Sequence, residues 1–215
     1  MEAAEQLFAR KGVAGTSLQE LATAIGLTRT SLYHYVRNKD EMLAMLVEGF
    51  TFETADDMRR LVGETDRPAV DRLREAVAGL VRRTAENPRR FRLILSSESQ
   101  FPEELGRRYR KARRETSGAV VDLVVQAIDE GSLRPVDPEM AAFGLIGAAN
   151  WVAFWYPRPN GPGARSPEVI AVEIADNVVG GLCVEGGRRA GTDVGQVVDQ
   201  LEEDLVRLKR LLRDQ

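Results

Sequence analysis

Cysteine and histidine occur once each, at Cys183 and His34. A single thiol excludes an internal disulfide, and Cys183, in an apolar helical context, reads as a small buried hydrophobe. One histidine leaves no His-rich metal site and no Cys/His nucleophile pair. No uninterrupted apolar run is long enough to span a bilayer, and the N-terminus lacks the apolar core of a signal peptide. No membrane is therefore expected, and the default location is cytoplasmic. Strand-type alternation, internal repeats and nucleotide-binding glycine loops are all missing. Paired acids such as Glu202 and Glu203 have the look of a solvated helix face, so neither an enzyme nor a bound cofactor is expected. Positive charge is not in excess either. The formal net charge is −3, which argues against wholesale coating of nucleic acid, though specific DNA binding needs only a local positive face. Even in the first 50 residues, Arg10, Lys11, Arg29, Arg37 and Lys39 are balanced by acids.

What is present is a globular composition, 43% hydrophobic and 29% charged over 215 residues, with enough chain for one small and one larger domain. The most informative stretch runs from Thr16 to Lys39, TSLQELATAIGLTRTSLYHYVRNK. Thr16 suits an N-cap, with Glu20 close enough to support the first turn. Leu18, Leu21, Ala22 and Ile25 share one apolar face. Gly26 predicts the end of that helix, because a left-handed backbone costs glycine least. Thr28 offers a second N-cap, and the spacing predicts a helix from Thr28 to Tyr35 with Leu32 and Val36 inward. Arg29, Thr30, Tyr33 and His34 are left facing out. Two short helices around a tight turn at this spacing form a helix-turn-helix, whose second helix can enter a DNA major groove. A helical hairpin in an ordinary bundle is the alternative on these residues alone.

Around this stretch the pattern is helical throughout. Met1 to Lys11 turns Ala4, Leu7 and Phe8 inward, and Asn38 or Asp40 caps a helix carrying Met42, Leu43, Leu46, Val47 and Phe50 toward Leu61. Pro68 suits a first helical position, and Asn87-Pro88 closes that helix. Phe91, Leu93, Ile94 and Leu95 begin a segment that Pro102 interrupts. A helix from Glu103 to Gly131 follows, basic at first (Arg107, Arg108, Arg110, Lys111, Arg113, Arg114) and then apolar. The segment after Asp137-Pro138 is apolar on most sides, which predicts burial against several neighbours. Beyond a Pro/Gly loop from Pro157 to Gly163, Ser166-Pro167-Glu168 restarts a helix. Val194, Val198, Leu201, Leu205, Leu208 and Leu212 make a short heptad seam at the C-terminus.

The run LFARKG-x5-LQELATAIGLTRTSLYHYVRNKDEML closely resembles the N-terminal domain of the TetR family of transcriptional regulators. The resemblance is carried by Leu7, Phe8, Gly12, Thr16, Leu21, Ala22, Gly26, Leu27, Leu32, Tyr33, His34, Tyr35, Val36 and Lys39. His34 and Tyr35 stand where relatives often carry an aromatic and a His, an exchange within the motif. Relatives usually carry a further helical turn and a basic arm ahead of this first helix. The resemblance implies a dimer that binds a palindromic double-stranded DNA operator. Arg29 is the candidate base reader, suited to guanine O6/N7. Thr16, Thr28, Tyr33, Tyr35 and Lys39 suit phosphates, with Thr30, Ser31 and His34 completing the DNA-facing set.

The segment ANWVAFWYPRPNGPGARSPEVIAVEIADNVVGGL resembles the dimer region of a TetR subgroup that often responds to acyl-coenzyme A thioesters. That resemblance implies a homodimer and a small hydrophobic or acyl-CoA effector. Candidate ligand residues are Phe91, Ile94, Trp151, Phe154 and Trp155 as cavity walls and Arg110 and Arg114 toward phosphates. The expected chain is thus all-α. A three-helix helix-turn-helix DNA-binding domain (1–47) precedes a ligand-binding and dimerisation bundle (48–187) and an extra C-terminal helix (188–215). Its expected function is a ligand-released repressor, with a ligand-independent architectural DNA-binding protein as the alternative.

Overall fold

A computed structural model describes residues 2–156 and 165–184, and the heptad seam, the Pro157-to-Gly163 loop and the 188–215 helix lie outside them. The fold is all-α. Its helices are α1 (Glu2–Lys11), α2 (Leu18–Ala24), α3 (Arg29–Tyr33), α4 (Lys39–Gly63), α5 (Ala69–Glu86), α6 (Pro88–Ser97), α7 (Glu103–Asp129), α8 (Pro138–Trp155) and α9 (Pro167–Gly180). A 3-10 turn, Glu98–Gln100, extends α6.

Side-chain caps fix most of the helix starts. Asn38, Asp137 and Ser166 each accept the backbone N–H three residues on, opening α4, α8 and α9. The cap of α2 differs from expectation: it is Ser17, not Thr16. Glu20 lies three residues after Ser17, so the two exchange hydrogen bonds in a capping box, Ser17 N–H to Glu20 Oε2 at 2.9 Å and Glu20 N–H to Ser17 Oγ at 3.2 Å. Pro68 also sits one position earlier than expected, as the residue before α5. The first helical N–H, from Ala69, is instead taken by the Glu130 carboxylate at 2.8 Å. The second helix of the motif is shorter than the Thr28-to-Tyr35 span. After Tyr33 the chain tightens, with His34 N–H on Ser31 O and Tyr35 N–H on Leu32 O, and this turns Val36 into the core.

The N-terminal helices do not own their core. Leu7 and Phe8 of α1, Leu21 of α2, Leu32 of α3 and Leu43 and Leu46 of α4 pack in one cluster with Leu93 and Ile94 of α6 and Leu105 and Tyr109 of α7. Glu5 of α1, 6% exposed, is held by Arg90 of α6 at 2.6 Å. Helix α4 itself runs unbroken through the expected boundary at residue 47. In the body, α5 lies among α7, α8 and α9, and its Leu73, Ala76, Val77 and Val81 are fully buried.

A buried arginine fastens the turn between α4 and α5. Arg72 is 2% exposed; it donates to the carbonyls of Leu61, Val62 and Arg67 and to Gln126 Oε1, at 2.8 to 3.1 Å. Two of those carbonyls belong to the last turn of α4, where helix acceptors lack an intrahelical donor.

Helix α8 packs against α5, α6, α7 and α9, as expected, but only along part of its surface. Its apolar residues are not buried on all sides in the single chain: Met140, Phe143, Trp151, Phe154 and Trp155 are exposed, Trp151 by 63%. Val169 and Val172 of α9 are exposed as well.

Candidate nucleic-acid interface and cavity

The sequence of α3 is RTSLY, and its packing follows from Leu32 pointing into the core and Thr28 holding the first turn. Thr28 Oγ1 accepts the Ser31 N–H at 3.1 Å and lies 2.9 Å from the Ser31 hydroxyl. Thr28, Arg29, Thr30, Tyr33, His34 and Tyr35 are exposed together, while Ser31, bonded to Thr28, is half-buried. Arg29 Nη2 donates to Tyr33 Oη at 3.0 Å, and the Arg29 guanidinium carbon is 5.5 Å from the Tyr33 ring centroid. Two of the expected contacts are not presented in this way. Thr16 is buried and its hydroxyl donates to the Gly12 carbonyl at 2.8 Å. Lys39 is half-buried, its ammonium bonded to the Ala14 carbonyl at 3.1 Å.

Gly26 has φ of 75°, the left-handed geometry that the turn between α2 and α3 requires. At the start of α2, the Lys11 ammonium and the Ser17 backbone and hydroxyl hold the Glu20 carboxyl at a pKa of about 2, well below the usual carboxylate range. Glu20 therefore stays ionised and pairs with the Lys11 ammonium at the surface. Ser17 was legible in principle, because Ser-x-x-Glu before an apolar run is a capping-box signature.

In the body, α4 to α8 enclose a cavity of about 620 Å³. Phe50 and Phe91, with ring centroids 6.0 Å apart, supply aromatic wall, and Ile94, Leu80 and Ile146 add aliphatic wall. Tyr109 also borders it, and burial pushes its phenol pKa up, so it remains a neutral hydroxyl. Of the expected ligand residues, Phe91, Ile94, Arg110 and Arg114 meet at this cavity. Trp151, Phe154 and Trp155 do not. Trp151 and Phe154 stack at 5.2 Å on the exposed face of α8, and Phe154 borders a separate cleft with Arg89, Arg92 and Leu93.

The basic run of α7 is sorted by its partners. Arg107 pairs with Glu103 and Glu104, Arg108 with Glu48 at 2.7 Å and Lys111 with Glu115 at 3.7 Å. Arg113, also at the cavity, is held by Glu98 at 3.0 Å and lies 5.5 Å over the Tyr109 ring. Among the described residues, Arg110 and Arg114 have no carboxylate partner. One helical turn apart, exposed yet lining the cavity, they stand at its opening as two uncompensated cations. Glu98 and Phe50 are lining residues that sequence reasoning did not select, while Arg113 of the basic run joins Arg110 and Arg114 at the cavity.

Among the described residues there is no cluster of His, Cys, Asp or Glu suited to a metal, and no helix long and apolar enough to cross a membrane. Two family models match the chain: "Bacterial regulatory proteins, tetR family" over residues 1–46 and "Tetracyclin repressor-like, C-terminal domain" over residues 66–182. The HTH-type transcriptional repressor KstR2 of Mycobacterium tuberculosis is 26% identical over 198 residues, covering 86% of this chain and 92% of its own length. The crystal structure of PfmR, a TetR family regulator from Thermus thermophilus, superposes with a TM-score of 0.71 at 25% identity, covering 83% of this chain and 95% of that one. AibR in complex with isovaleryl coenzyme A and operator DNA gives a TM-score of 0.66 at 26% identity, covering 85% and 95%.

Proposed function

The chain belongs to the TetR family of bacterial regulatory proteins, and from that premise we propose a dimeric repressor released from a palindromic operator by an acyl-coenzyme A thioester. The observation that carries the effector class is the pair Arg110 and Arg114, which have no carboxylate partner among the described residues and stand at the opening of an apolar cavity. An apolar acyl group satisfies the walls, and phosphates satisfy the two guanidinium groups, which bind such oxygens bidentately. The structure of AibR with isovaleryl coenzyme A supports the same class in a neighbour of the same fold.

Residues 1–47 act as the DNA-reading head and 48–187 as the effector-binding and dimerising body. Arg29 reads a base edge, while the exposed hydroxyls of Thr28 and Tyr35 suit phosphates that set register. The exposed apolar face of α8 and α9 supports pairing of two copies. Two-fold symmetry would then place the two α3 helices about one DNA turn apart, roughly 34 to 36 Å. Ile94 and Tyr109 border the cavity and also belong to the core under the head, so a ligand that repacks them shifts the head. The ligand does so by binding the released conformation more tightly than the DNA-bound one.

The test pairs calorimetry with operator retardation, using a duplex selected from a random pool. Coenzyme A, short- and medium-chain acyl-CoAs and the matching free acids form the ligand series. Acyl-CoAs are expected to bind and to release the duplex, free acids to do neither. Replacing Arg110 and Arg114 with Ala should weaken thioester binding by about tenfold or more without altering the fold, since both side chains are exposed. Operator occupancy indifferent to every thioester, or full affinity in the double variant, overturns this effector.

A further inference from the structure

We infer that Tyr33 is a specificity-determining positioning residue that holds Arg29 in one orientation for base reading. The inference rests on the proposal that Arg29 reads a base, and goes beyond it by assigning what fixes the arginine. Tyr33 follows Arg29 by four residues on α3, so the two side chains lie one above the other on the same helical face. One side-chain contact joins them: the guanidinium donates to Tyr33 Oη at 3.0 Å, which places its central carbon 5.5 Å from the ring centroid. No other hold on the Arg29 side chain exists among the described residues, and α3 contains no carboxylate to compete for it. Both side chains are exposed, Tyr33 by 44%, so the contact lies on the outer face of α3 and not in its core.

An unrestrained surface arginine samples many rotamers and must be ordered when it meets a base. A guanidinium has five N–H donors in a planar fork. Tyr33 engages one of them and sets the plane of the fork. The remaining donors can then reach both acceptors on one guanine edge, whereas a free side chain could satisfy alternative bases or a phosphate. Tyr33 thereby acts on which sequence is bound, not on how strongly DNA as such is held.

The experiment uses the full chain and the preferred duplex from a random pool. Affinities are measured for that duplex and for every single-base variant of one half-site. The proteins are wild type, Arg29→Ala, Tyr33→Phe and the double variant, with thermal melting as the folding control. Arg29→Ala should erase the preference at one base position. Tyr33→Phe, which keeps the ring and removes the acceptor, should weaken that same preference by about three- to tenfold and leave the others intact. The double variant should match Arg29→Ala. If Tyr33→Phe weakens all duplexes equally, Tyr33 is a phosphate contact and the inference is overturned. An unchanged profile for Tyr33→Phe, with the preference lost in Arg29→Ala, overturns the positioning role alone. A preference retained by Arg29→Ala overturns the base-reading role and the inference with it.

Discussion

Arg72 buries its guanidinium where α4, α5 and α7 meet, and four oxygens depend on it. Replacing it with Met would keep most of the volume but leave the carbonyls of Leu61, Val62 and Arg67 without a donor inside the protein. A loss of about 3 kcal/mol in urea unfolding is expected, and Arg72→Lys should recover only part, because one ammonium cannot span the same oxygens. An unchanged denaturation midpoint in Arg72→Met would show that water replaces the bonds. The sequence held a hint of this role. On a helical wheel Arg72 falls with Ala69 and Ala76, both fully buried, but a charged residue in an amphipathic helix reads as surface unless its partners are known. Those partners come from residues 61 to 126, and no local pattern brings them together.

At the scale of elements, legibility followed how local the determining interaction was. Gly26 and Thr28 were readable because a turn and a cap are decided within a few residues, and the left-handed φ of Gly26 follows from the chemistry of glycine. The space around Gly26 is open, so a substituted methyl would meet no neighbour. Gly26→Ala should therefore cost only the backbone term, about 1 kcal/mol, read as a lowered melting temperature. A much larger loss would mean that the turn tolerates no adjustment. The cavity was harder to see. It is a place where five helices fail to fill space, and its walls run from Phe50 to Asn150. Sequence pattern found Phe91, Ile94, Arg110 and Arg114, which carry strong hydrophobic or cationic signals. It also assigned Trp151, Phe154 and Trp155 to the wall, because an apolar stripe does not disclose what, if anything, covers it.

At the scale of the molecule, the exposed apolar face of α8 and α9 bears on assembly. Trp151 on α8 and Val172 on α9 leave apolar surface in water in the single chain. If a second copy covers them, Trp151→Glu combined with Val172→Glu should yield a folded monomer in sedimentation experiments. Operator affinity should fall by more than about tenfold, since each head then binds without a tethered twin. Wild-type protein that sediments as a monomer at micromolar concentration, with operator binding intact, would remove the dimer from the mechanism. Neither side chain is needed inside its own chain, so helical content should be unaffected by the pair of substitutions.

The placement of Leu93, Ile94, Leu105 and Tyr109 beneath the first four helices also bears on protein engineering. Joining the reading helices of one regulator to the sensing half of another after residue 47 would leave the transplanted part facing a foreign floor, with Glu5 set against whatever replaces Arg90. A working hybrid needs its crossover chosen so that α1 travels with a matching α6, or needs those few floor residues rewritten to suit the incoming half. Recombination between relatives should therefore succeed according to the fit of that floor, and not according to overall similarity.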